Sequence, residues 1–372
     1  MSERVELAVI GGGLMGAATA WAASRRGLSV LLLEQFDPGH HRGSSHGSAR
    51  IVRRAYDDAM YTRLTGRAFE LWRELEFDSG VPLLRMLGGV DFGARSYVDA
   101  VAGQLSAATV EHEVLDAREA ERRWPGMVFE GPVIHHPQAG TVDAAAAVTA
   151  FLDGAERRGA TLRFSTTVRS LEEGPGGVRI LLDDGETVEA GQVVVAAGGW
   201  TAELLGDRLP LPALTVTQQD AFHFPRLDEA AGAWPSVIHE HGNGVYHLAG
   251  GRDGGPGDDR KIGEHYGGRR TTATGRDGIV TPETRQRTIE YVKRWLPGLD
   301  PTPRTETTCL YTTTPSEDFL LDRVGALIVC SPCSGHGAKF APLIGELTAD
   351  LATGGEGPPA PFLLGAHTTG RS

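Results

Sequence analysis

The sequence predicts an α/β protein, in which a parallel-sheet domain of βαβ build is interleaved with a second domain of short strands and loops. Three observations carry this. Val5–Ile10 is an apolar run closed by Gly11-Gly12-Gly13, an Ala-rich stretch from Leu14 to Arg26 reads as a helix stopped by Gly27, and Leu28–Glu34 is apolar on both faces. Strand, glycine turn, helix and strand within about 30 residues make one βαβ unit, and a strand apolar on both faces belongs inside a parallel sheet. Gln192–Ala197 is another strongly apolar strand, closed by Gly198-Gly199-Trp200. From 213 to 305 the pattern changes to short strands and loops.

The remaining elements follow in order. Residues 37–50 are polar and rich in Gly, His and Ser, hence a loop. Tyr61–Glu76 reads as an amphipathic helix and Val142–Arg158 as an Ala-rich one. Thr161–Phe164, Val178–Leu182 and Thr187–Val188 read as short strands, with a turn at Asp183-Asp184-Gly185. Gly250–Asp259, rich in Gly and Asp, predicts a mobile loop. Leu327–Val329 is a last strand, Phe340–Leu351 a closing helix, and the Gly/Pro-rich tail after Gly354 is expected to be poorly ordered. No internal repeat is present.

With 372 residues, 40% hydrophobic and 23% charged, the chain can bury a core and stay soluble. Its net charge of −12 excludes a general binder of nucleic acid or anionic membranes. The three cysteines are odd in number and late in the chain, unlike a secreted disulfide framework. The N-terminus lacks the layout of a signal peptide and no apolar run approaches membrane-spanning length, so a soluble cytoplasmic protein is expected.

Gly11-Gly12-Gly13-Leu14-Met15-Gly16 matches G-x-G-x-x-G. In such a turn Gly11 permits the tight bend, Gly13 lets the backbone approach a pyrophosphate at the helix N-terminus, and Gly16 lets helix and strand pack closely. Glu34 ends the next strand, where a carboxylate accepts hydrogen bonds from a ribose. The motif alone does not separate FAD from NAD. Residues 43–56 place Arg50, Arg53 and Arg54 within five positions of an acidic chain, after small residues that let the backbone pass close to a flat ligand. On composition alone a solvated loop with surface ion pairs is the stronger reading of that stretch. His40, His41 and His46 have no Cys or carboxylate partner at metal spacing, so no metal is expected. Between 334 and 339 two glycines, a His and a Lys lead into a helix, a place for amides and a cation to meet an anion. Cys330-x-x-Cys333 is a redox pair, half a zinc site or, the preferred reading, two small buried cysteines.

Taken together, these residues resemble the monomeric sarcosine oxidase and N-methyltryptophan oxidase family of FAD-dependent amine oxidases, over residues 4–352. The markers are the glycine motif at 11–16, the block Gly43–Tyr56, Gly198-Gly199-Trp200, Lys261-Ile262-Gly263-Glu264-His265, the stretch Cys309–Asp322 and Ser334-Gly335-His336-Gly337-x-Lys339-Phe340. The resemblance implies a Rossmann-type FAD-binding domain (1–84, 141–212 and 306–360) interleaved with an antiparallel-sheet α+β substrate domain (85–140 and 213–305), and a flexible tail at 361–372. It implies cofactor contacts from Gly11, Gly13, Leu14, Met15, Gly16, Glu34, Ser44, His46, Arg50, Val168, Gly198, Trp200, Gly335, His336, Gly337 and Lys339. Cys309 resembles the cysteine that bonds covalently to the flavin, and Lys261 the lysine beside which oxygen is activated. Arg53 and Lys339 resemble the pair that binds the substrate carboxylate. Arg50, His265 and Tyr311 resemble residues at the flavin and in the pocket, and His247 falls in the substrate lid.

The implied partners are a small amine and oxygen, acting on a monomer or weak homodimer. Ser45, Ser48, Ala49, His247 and the residues around Pro332-Cys333 depart from the family pattern, and two extra residues precede Lys261. The flavin machinery is intact while the substrate pocket is altered. A sarcosine-like secondary amine with a carboxylate is the first expectation. A cyclic imino acid, a biosynthetic amine intermediate or a flavin dehydrogenase with a protein acceptor are the alternatives. A non-catalytic flavin scaffold leaves Arg53, Lys261 and Lys339 without a task, and an NAD dehydrogenase leaves Cys309 without one.

Overall fold

The computed structural model describes residues 4–228, 232–255, 257 and 259–368. Among these the strands form three sheets, of eight, nine and three strands. At the centre of the first, Arg4–Ile10 lies parallel to Val30–Leu33 on one side and to Thr187–Val195 on the other. Thr161–Arg163 and Leu327–Ser331 extend it, again in parallel. Helix Leu14–Arg25 covers one face together with Ala144–Glu156 and Ala341–Thr353. Alanines and glycines let these helices approach: a Cβ on Gly154 would lie 2.7 Å from the Trp21 ring, and one on Gly345 would lie 2.4 Å from the Ala18 carbonyl oxygen. The other face packs a second apolar layer that includes Leu31, Leu33, Val193, Val195 and Val329.

The nine-stranded sheet is mostly antiparallel, with Thr215–Phe224, Ser236–Glu240, Val245–Ala249 and Arg260–Glu264 among its strands. Helix Pro282–Trp295 packs on it through Tyr291, Val292 and Trp295. Thr281 caps this helix by accepting from Thr284 N, and Pro282 fits the first turn, where its missing N–H is not needed. The small sheet joins the two units by pairing Arg50–Arg53 and Leu84–Met86 to Ala139–Val142.

Four expectations need correction. Thr305–Thr313, the strand that carries Cys309, pairs along its whole length with Thr215–Phe224. The boundary drawn at 305/306 therefore cuts a strand that belongs to the substrate sheet. The two strands expected at 187–188 and 192–197 are one, Thr187–Val195, running through Gly191. The segment Gly250–Gly255 is tethered at Asp253, whose Oδ2 accepts from Ser48 N and whose N donates to Ser48 Oγ at 3.1 Å. Pro256 and Asp258 of the expected loop lie outside the described residues. The tail packs: Phe362 is fully buried against Phe319, and Leu364 N donates to Asp322 Oδ2 at 2.9 Å. Apolar anchors at Phe362 and Leu364 outweigh the Gly/Pro content before them, while 369–372 lie outside the described residues. No described helix is long and apolar enough to cross a membrane.

Candidate active site

A cavity of about 1160 Å³ runs from the glycine turn to the joint between the two large sheets. At its first end the backbone is compressed around Gly11, whose φ is +107° and where a Cβ would lie 2.5 Å from the Ala196 carbonyl oxygen. A Cβ on Gly16 would lie 1.8 Å from the Gly11 carbonyl oxygen. Only glycine fits either place. Leu14 and Met15, at the start of the twelve-residue helix Leu14–Arg25, line the cavity, and Leu14 N donates to Ser45 Oγ at 2.9 Å. Glu34 accepts from Gly12 N at 2.7 Å and from Phe36 N at 2.9 Å. Burial would raise its pKa, but His40 and those two amides outweigh it and hold the carboxyl below its ordinary value. A charged carboxylate is thus fixed where a ribose would meet it. The helix N-terminus, glycine cradle and carboxylate together fit the dinucleotide half of FAD.

The loop after Glu34 is held in shape by backbone acceptors. Arg50 folds back to donate to the carbonyls of Ser44 (3.0 Å), His46 (2.6 Å) and Ala49 (2.9 Å). Ser44 Oγ donates to Leu310 O at 2.6 Å, fastening the loop to the strand of Cys309. Arg276, not singled out from the sequence, clamps the same place by donating to His41 O (2.8 Å) and to Thr308 Oγ1 (2.7 Å). Burial and the Arg50 charge push His46 down to about 3, so the imidazole stays neutral inside the loop. Val168, Gly198, Trp200 and Cys309 line the same cavity.

At the far end four cations gather: Arg50, Arg53, Lys261 and Lys339 all line the cavity of a chain whose net charge is −12. Lys339 Nζ donates to His336 O at 2.8 Å and to Tyr56 Oη at 3.0 Å. The Tyr56 hydroxyl lies 3.2 Å from His336 Nδ1, and His336 Nε2 lies 3.2 Å from Glu317 O. A carbonyl can only accept, so Nε2 carries the proton and Tyr56 donates to Nδ1. Burial, then the charge of Lys339, keep His336 neutral, consistent with that tautomer. The Lys339 ammonium is held well below its ordinary pKa by burial, with Arg53 adding to the effect. Lys261 is pushed down to about 7 by burial and then by the Arg50 charge, and its Nζ lies 3.4 Å from Ala49 O. Gly335, at φ +75°, leaves room for two rings: a Cβ there would lie 2.4 Å from Tyr311 and 2.6 Å from His265. Burial and then the Lys339 charge push His265 down to about 4.

Arg53 does not stand alone. Its Nη1 donates to Ala55 O and to Asp91 Oδ1, the latter at 2.7 Å, and Tyr97 Oη donates to the same carboxylate oxygen at 2.9 Å. Asp91 is 1% exposed and His136 is fully buried beside it. Burial would raise the Asp91 carboxyl, but the Arg53 charge holds it below its ordinary value. Asp91 was missed in the sequence, where its signal is an acid inside the apolar strand Gly89–Gly93.

His247 is a further correction. Tyr246 and Leu248 line the cavity and His247 does not. Alternation along the strand turns His247 to the side of Ile262, where its Nδ1 accepts from Arg260 Nε at 2.8 Å. Tyr246 takes the place expected for it. It is paired opposite Gly263, and burial raises its hydroxyl to about 12. Gly16, too, lies behind the cavity wall as a packing residue, while the other expected site residues line the cavity.

Residues 6–351 match the DAO family of FAD dependent oxidoreductases. The chain belongs to this family. As an FAD-dependent oxidoreductase it is 37% identical to the monomeric sarcosine oxidase of Streptomyces avermitilis, over 95% of each chain. It is 30% identical to N-methyl-L-tryptophan oxidase of Yersinia pestis, over 98% of this chain and 99% of that one. Its structure matches the open form of NikD, an unusual amino acid oxidase essential for nikkomycin biosynthesis, with a TM-score of 0.83 at 27% identity and 94% coverage of both chains. The α/β expectation and the FAD expectation therefore hold for this oxidoreductase.

Proposed function

We propose that this protein oxidises a small secondary amine that carries a carboxylate, of the N-methyl amino acid type, with oxygen as the final acceptor. The observation that carries the reading is the far end of the cavity, where Arg53 and Lys339 both stand over the Tyr56 ring, 4.7 and 5.4 Å from its centroid, in a cavity that His265, Tyr311 and Lys261 also line. FAD, when bound, supplies the two-electron acceptor for the C–H bond next to the amine nitrogen. The chain's own residues do the rest. Arg53 offers Nη2 and Nε to the substrate carboxylate, since Nη1 is engaged by Ala55 and Asp91. Lys339, oriented by Tyr56 and the His336 carbonyl, adds a point charge. Anchoring the carboxylate places the amine end of the substrate against the ring-bearing wall, and such positioning supplies much of the rate. His265 and Tyr311 wall off water. Lys261 places a cation where negative charge develops on oxygen. The products are an imine that hydrolyses to a demethylated amino acid and an aldehyde, and hydrogen peroxide. Three free cysteines fit a reducing compartment, and we place the enzyme in the cytoplasm as a monomer or weak homodimer.

The test is anaerobic mixing of the flavin-loaded protein with sarcosine, longer N-methyl amino acids, proline, pipecolate and primary amino acids. The expected result is bleaching of oxidised-flavin absorbance by the N-methyl compounds. Bleaching by the cyclic imino acids alone would move the substrate class, and bleaching by none of them would sink the reading.

We also propose that Cys309 carries the flavin covalently. It lines the cavity, and the residue after it is fastened to the flavin loop through Ser44. Wild-type protein denatured in acid is expected to keep its yellow colour on the chain, and Cys309→Ser protein to release it. Release from the wild type would overturn the assignment.

A further inference from the structure

On the substrate sheet, three side chains given no part in the active-site chemistry converge, one of which, His239, also lines the cavity. His239 comes from the strand Ser236–Glu240, His241 from the turn that follows, and Glu130 from the segment before Val133–His136. One potential ligand atom from each lies within 4.8 Å of the other two. His239 is fully buried, stacked on Phe92 with ring centroids 3.9 Å apart and met edge-on by Trp295 at 4.8 Å. Its Nδ1 lies 3.0 Å from the Tyr291 hydroxyl, whereas its Nε2 is buried without a hydrogen-bond partner. A buried polar atom left unmatched in this way is costly and calls for an occupant.

We propose that Glu130, His239 and His241 bind a divalent transition cation of the zinc type. Two imidazoles and a carboxylate make a borderline donor set suited to zinc, with a fourth position left for water. A His239 whose Nδ1–H donates to the Tyr291 oxygen presents a bare lone pair on Nε2, and Tyr291 is then the outer partner that fixes the ring. Ligand atoms about 2 Å from zinc lie within about 4 Å of one another, a separation compatible with three atoms that all lie within 4.8 Å of each other. Glu130 and His241 sit outside regular strands; His239 is fixed by its stacking on Phe92, and His241 stacks in turn on His239 with ring centroids 4.9 Å apart. The Arg294 charge, leaning on Trp295 at 4.6 Å, opposes a cation, and the Glu130 carboxylate offsets it.

Ile238 pairs with Tyr246, and Phe92, under His239, follows Asp91 in its strand. A metal here would tie the 128–131 segment to the hairpin that carries Tyr246, beside the cavity that His239 lines.

The test uses flavin-loaded protein stripped with a chelator and dialysed against Zn²⁺, then against Co²⁺, whose visible bands at wavelengths beyond the flavin absorbance report ligand geometry. Wild type is expected to take up one equivalent, with a rise in Tm. His241→Ala and Glu130→Gln, which leave the active-site residues untouched and should keep the flavin spectrum, are expected to lose that uptake. Tyr291→Phe is expected to weaken it by about 10- to 100-fold. Uptake of the same stoichiometry and affinity in wild type and His241→Ala would overturn the proposal. So would the absence of uptake by wild type at micromolar metal.

Discussion

Replacing Arg53 by alanine is expected to raise KM for the amine by about 10- to 100-fold, the worth of charge-assisted hydrogen bonds to a carboxylate. Affinity for a simple carboxylic acid without an amine, titrated against the flavin spectrum, should fall in parallel. An unchanged KM would sink the assignment. The same substitution carries a second effect, because Arg53 is also the partner of buried Asp91. Removing one member of a buried pair typically costs about 3–5 kcal/mol, through the charge left behind. Replacing both members with apolar residues, Arg53→Met with Asp91→Leu, should recover much of that stability and none of the substrate affinity. This separation distinguishes a binding role from a merely structural one. The sign of the pH effect follows from Asp91, whose carboxyl, against the effect of burial, is held below its ordinary value in the folded protein by the Arg53 charge. Its contribution to stability is fully present above the unfolded value and is lost as pH falls through the lower folded one. Acid unfolding of the wild type should thus be steeper than that of the double variant.

The flavin half of the site was legible because its chemistry is local. Gly11, Gly13, Gly16 and Glu34 act through one βαβ unit, and a steric requirement for glycine shows directly in the sequence. The substrate half is assembled by strands far apart in the chain. Asp91 reaches Arg53 across 38 positions, and Lys339 reaches Tyr56 across 283. Spacing carries no record of such pairs. His247 shows a different failure. Both members of Tyr246-His247 fit a polar lid, but a strand turns neighbours to opposite faces, and only the register against Gly263 and Ile262 decides which one reaches the cavity. The misplaced boundary at 305/306 has the same origin, since β-pairing of Thr305–Thr313 to Thr215–Phe224 is a long-range property. The tail was misjudged because Gly/Pro content speaks of backbone freedom, whereas burial of Phe362 is a packing gain that composition does not weigh.

Lys261→Met should slow the reaction of the reduced enzyme with oxygen by about 10²- to 10³-fold, the range found when a preorganised charge-stabilising donor is removed. Reduction by substrate should change little, because the carboxylate grip and the pocket rings are untouched. The two steps are separated by mixing substrate-reduced protein with oxygenated buffer in one experiment and oxidised protein with substrate, without oxygen, in another. Equal slowing of both would count against the role. The geometry also gives a pH signature. Burial and the Arg50 charge bring Lys261 to about 7, so its ammonium is the main form below that pH and is lost above it. The oxygen reaction of the wild type should therefore fall as pH rises through that value, whereas Lys261→Met, having no proton to lose, should be flat there. Binding of anionic FAD nearby raises the lysine pKa and moves the fall to higher pH without reversing its sign. A wild-type rate that climbs through the same interval would mean that the neutral amine is the active form and that the cation does not carry the oxygen reaction.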